Sequence, residues 1–104
     1  MKQIKIHSWK AKTPDNKEIE ENTLSMFSII LSNKKPEELP RGLDMFRLFS
    51  RLATAFDNAE KDKLLVLEDS DYLFLKKLLE SDLLSTWGMN QDIVKAVDLF
   101  MNAK

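Results

Sequence analysis

Lys2-Gln3-Ile4-Lys5-Ile6-His7-Ser8-Trp9 alternates in polarity with a period of two, so the chain begins with a strand rather than a helix. Ile4 and Ile6 fall on one face, while Lys5, His7 and Trp9 fall on the other, as in a half-buried strand. Thr13-Pro14-Asp15-Asn16 is turn chemistry: Pro presets one dihedral and Asn tolerates the left-handed conformation that closes a hairpin. Lys17 to Glu21, with Ile19 inward, is the expected return strand of an N-terminal β-hairpin.

Beyond the hairpin the period changes to that of a helix. Leu24, Met26, Phe27, Ile30 and Leu31 share one face, with Asn22 or Thr23 as cap and an end expected near Asn33. Residues 36–42, bounded by Pro36, Pro40 and Gly42, form a constrained connector with room for one helical turn. The clearest helix is expected over 43–58. There Met45, Phe49, Leu52 and Phe56 make an apolar row, flanked by Phe46, Leu48 and Ala53 and opposed by Asp44, Arg47, Arg51, Thr54 and Asn58. Leu64 to Leu67 is either a short third strand, the favoured reading, or an extension of the next helix. That helix buries Tyr72, Leu75, Leu78 and Leu79, and the apolar residues Leu83, Leu84 and Trp87 lead to a stop at Gly88. Asn90 caps a last helix with Ile93, Ala96, Val97, Phe100 and Met101 inward. The expected architecture is α+β: an N-terminal β-hairpin and a short third strand packed with about four helices, in one small globular domain over residues 1–104.

Composition narrows the function. The 104 residues are 43% hydrophobic and 32% charged, enough to bury one core without covalent staples. Cysteine is absent, there is one His and there are two Gly, so most nucleophilic, metal-ligating and phosphate-cradling constellations cannot be built. No enzyme, cofactor or metal site is expected. Residues 1–20 contain no continuous apolar run of the kind a secretory signal carries, and no membrane span is expected. The expected location is the cytoplasm of a bacterial or virus-infected cell. A net charge of -1 argues against both a dedicated nucleic-acid binder and an acidic mimic of DNA.

Each candidate residue has a structural reading beside the functional one. His7 is expected on a solvated strand face, with no nucleophile near it. Glu68, Asp69 and Asp71 lack the spacing of a calcium loop and suit the cap of a helix. Arg41, Arg47 and Arg51 form the best basic cluster, able to contact phosphates or an acidic partner unless Asp44 pairs with them along the helix. Trp9 and Trp87 lie outside the periodic rows, at the core margin or at a protein contact.

Residues 64–80, Leu64-Leu65-Val66-Leu67-Glu68-Asp69-Ser70-Asp71 running into the Leu-rich stretch Tyr72 to Glu80, resemble a pattern in small bacteriophage accessory proteins. In those proteins a short apolar strand leads through an acidic cap into a helix. The resemblance implies head or tail assembly, or binding of a host protein, and assigns no functional residue. The expectation is therefore a non-enzymatic protein–protein interaction module with a protein partner or self-association, contacting through Trp9, Trp87 and the arginines. The alternative is a nucleic-acid-binding regulator using Arg41, Arg47 and Arg51.

Overall fold

The structure is a computed structural model that describes residues 1–103. Among them the order is β1 (Lys2–Lys5), β2 (Ser8–Lys12), β3 (Glu18–Asn22), α1 (Thr23–Ser32), α2 (Leu43–Asp62), β4 (Leu64–Leu67), α3 (Asp69–Asp82) and α4 (Gln91–Met101). Short 3-10 turns occupy Pro36–Glu38 and Ser85–Met89. The fold is α+β, with four helices and two small antiparallel sheets, one pairing β2 with β3 and the other β1 with β4.

The expected first strand is two strands. The chain changes partner at Ile6–His7, where the His7 amide donates to Thr23 Oγ1 and the Thr23 amide donates to the His7 carbonyl, each at 3.1 Å. Before this step β1 pairs with β4, Ile4 opposite Leu65; after it β2 pairs with β3, Trp9 opposite Glu21. The step resets the alternation. Ile4 and Trp9, an odd number of residues apart, therefore both face inward, and Trp9 is 7% exposed instead of outward. The hairpin closes as expected: the Asn16 amide donates to Thr13 O at 2.8 Å, and Asn16 takes the left-handed conformation (φ 64°).

The Leu64–Leu67 segment is the third strand, with Leu65 and Leu67 buried and Val66 facing out. It follows α2, which runs one turn past the expected end and stops at Lys63, held left-handed (φ 58°) with its amide on Ala59 O at 2.8 Å. Asn22 caps α1 and Asn90 caps α4 through their side-chain oxygens. Asp69 and Asp71 stand in the first turn of α3, where the helix dipole favours them as expected, but the acidic run makes no side-chain cap bond; Asp71 turns to Arg51, and Asp69 lies 3.5 Å from the terminal amine. Nor is Gly88 a helix stop. α3 ends at Asp82, which is held at 2.9 Å by Lys34, and Leu83 leaves in extended backbone. Gly88 then falls inside the second 3-10 turn.

All four residues expected inward on α3, Tyr72, Leu75, Leu78 and Leu79, are buried. The core centres on aromatic contacts between elements distant in sequence. Phe27 meets Phe100 edge-on at 5.0 Å, Phe100 stacks on Tyr72 at 4.7 Å, and the Tyr72 hydroxyl donates to Phe100 O at 2.8 Å. α4 thus completes the core of its own chain.

Candidate interaction surface

Arg51 does not stand with the other arginines. Its Nε and Nη2 donate to the two carboxylate oxygens of Asp71 at 3.0 and 2.9 Å, and Glu68 lies 3.9 Å away. Asp71 is 2% exposed, so the bidentate pair satisfies a carboxylate that α3 would otherwise bury bare. The Asp71 hydrogen bond and charge hold the Arg51 guanidinium above its ordinary value. This pair spans two helices, unlike the intrahelical pairing with Asp44 that the spacing suggested. It lines an open cleft of about 390 Å³ with Ser50, Thr54, Asn58 and Glu68. The cleft's arginine is already neutralised.

Arg41 and Arg47 are exposed and form no ion pair among the described residues. Between them stand two apolar side chains in water, Leu43 (61% exposed) and Phe46 (71% exposed). Phe46 was expected on the buried side. Measured over its full length, α2 buries a stripe centred on Leu52, with Leu48, Ala59 and the half-buried Met45, Phe49 and Phe56. At about 100° per residue, Phe46 sits about 120° from Leu52 and leaves the core. Leu43, Phe46, Arg47 and Ser50, at spacings of three, four and seven, share the outward face. The expected row Met45, Phe49, Leu52 and Phe56 already centres about 90° from Phe46, so the residue borders that row instead of belonging to it.

Neither tryptophan is freely exposed. Trp9 is a core residue whose indole N–H donates to Glu21 Oε2 at 3.3 Å. Trp87 is half-buried and lines a shallow apolar cavity of about 100 Å³ with Leu83, Ile93, Val94 and Val97. Leu84 and Met89 (87% exposed) flank it in sequence, and Asp98 lies at its edge. His7 is not a solvated side chain. Its Nε2 lies 3.0 Å from Asp92 Oδ1, and its ring is 5.7 Å from that of Trp9, tying the strand step to the first turn of α4.

Among the described residues no cluster of three metal-ligating side chains forms, and no helix is long and apolar enough to cross a membrane. No family model, no curated protein and no solved structure matches the chain. Fold and surface define a small cysteine-free α+β domain that presents two apolar patches, one beside arginines and one beside an aspartate.

Proposed function

We propose that this protein is a non-enzymatic protein–protein interaction module whose contact surface is the outward face of the first two turns of α2. The observation that carries this is Leu43 and Phe46 standing more than half exposed at helical spacing, bracketed by Arg41 and Arg47. Exposed aromatic and aliphatic anchors at such spacing are how a helix engages a partner's groove, and unpaired arginines set orientation and encounter rate. The reading keeps the class implied by residues 64–80, an assembly or host-protein-binding accessory protein in the cytoplasm of a bacterial or virus-infected cell. It moves the contact from Trp9 and Arg51, which the fold uses internally, to Leu43, Phe46, Arg41 and Arg47. The test is affinity capture from a bacterial extract with the native chain and with Leu43→Glu/Phe46→Glu. Specific protein retention that the double variant loses, with its melting temperature unchanged, supports the reading; equal retention by both chains overturns it.

One observation favours a second reading. With Phe46 exposed between Arg41 and Arg47, a base has a ring to stack on and a strand has two cations for its phosphates. Two phosphate contacts give a log–log salt slope of only about -1.4 on single strands, and Asp44 adjoins the patch, so this reading ranks second. Saturable binding of a single-stranded oligonucleotide at low salt, lost in Phe46→Ala, would promote it.

A further inference from the structure

We infer that the partner of the α2 surface includes a second copy of this chain, with Leu43 and Phe46 of one copy seated against the Trp87 cavity of another and Arg47 facing Asp98. The inference rests on the proposed interaction role of Leu43 and Phe46 and names what they meet. The cavity is almost wholly apolar in lining and is about 100 Å³ in volume, walled by Leu83, Trp87, Ile93, Val94 and Val97. Gly88 lines the cavity, and a Cβ added there would stand in open space, with nothing within 4 Å. The chain therefore carries both an apolar projection and an apolar recess. They lie on different segments, the start of α2 on one side and the turn before α4 with α4 itself on the other.

Charge selects how they meet. Arg41 and Arg47 flank the projection and Asp98 edges the recess, and none of the three forms an ion pair among the described residues. Even with Asp44 beside them, two arginines leave the projection net positive, while Asp98 makes the recess negative; like patches therefore repel on balance, and projection against recess joins opposite net charge. Both patches are small, so the contact is weak and appears at high protein concentration, where repeated contacts add up.

The experiment is sedimentation of the full chain at low salt, from about ten micromolar to about one millimolar, the range in which a weak contact is populated. The chains are the native protein, Arg47→Glu, Asp98→Arg and the double variant Arg47→Glu/Asp98→Arg, all altered at exposed positions. The native chain is expected to associate, each single variant to weaken association at least about fivefold, and the double variant to recover to within about twofold. A native chain monomeric at the highest concentration, or a double variant no better than the singles, overturns the inference. Should the monomeric chain still capture another protein through Leu43 and Phe46, the second-copy inference alone falls. If that capture is lost too, the underlying reading falls with it.

Discussion

At the residue scale, Arg51 and Asp71 show how a side chain's partner changes its meaning. Removing the arginine leaves a carboxylate that is 2% exposed without its counter-charge, whereas replacing the carboxylate as well leaves an apolar side chain that needs no partner there. Arg51→Ala is therefore expected to lower the melting temperature more than Arg51→Ala/Asp71→Leu does, a difference that thermal unfolding of the two variants measures. Lys34 and Asp82 form a second close lysine- or arginine-carboxylate pair, at 2.9 Å. The Lys34 hydrogen bond holds the Asp82 carboxyl below its ordinary value. An acid whose folded pKa is lowered stabilises the fold fully above its unfolded value, about 4, and loses that contribution as pH falls through the lower folded value. Urea unfolding should find Asp82→Asn less stable than the native chain at about pH 6, with the gap closing as pH falls from about 4 through the lowered folded value. A gap that persists in acid would contradict the assigned pair. Neither partner was legible in sequence: Arg51 and Asp71 are twenty residues apart, and only the return through β4 brings them together.

At the element scale, helices with Asn caps and strong periodicity were readable. α1 begins at its expected cap, α3 buries its four expected residues, and Asn90 receives the amides of Asp92 and Ile93 at 3.0 and 3.4 Å. Asn90→Ala is expected to destabilise the protein by about 1 kcal/mol, read by chemical denaturation, with α4 amides the first to lose hydrogen-exchange protection. What sequence missed was non-local. The break at Ile6–His7 carries no Gly or Pro; it exists because Thr23, buried at the start of α1, bonds both backbone groups of His7. That bond turns Trp9 inward, so the residue chosen as an outward contact packs the core. The added turn of α2 has an equally quiet cause, since Ala59 is small enough to be buried completely and weakly signals a core position.

At the scale of the whole molecule, the fold class followed from local pattern, but the closure of the core did not. β1 pairs with β4 across the length of three intervening elements and α2, while Phe27, Tyr72 and Phe100 meet from three different helices. Once α4 has closed that core, the large apolar side chains left in water include Leu43 and Phe46 on α2, and Leu84 and Met89 at either end of the second 3-10 turn. A chain with a net charge of -1 has little general repulsion to keep such patches apart, so their own charges decide which surfaces meet. The most direct test is a dilution series of amide chemical shifts on uniformly labelled protein, from about one millimolar to about ten micromolar. Concentration-dependent shifts are expected at residues 41–50 and 83–98, moving together on one binding curve, while the hairpin at 8–22 stays still. Shifts confined to the hairpin, or spectra that do not change with concentration, would contradict the pairing of these two surfaces.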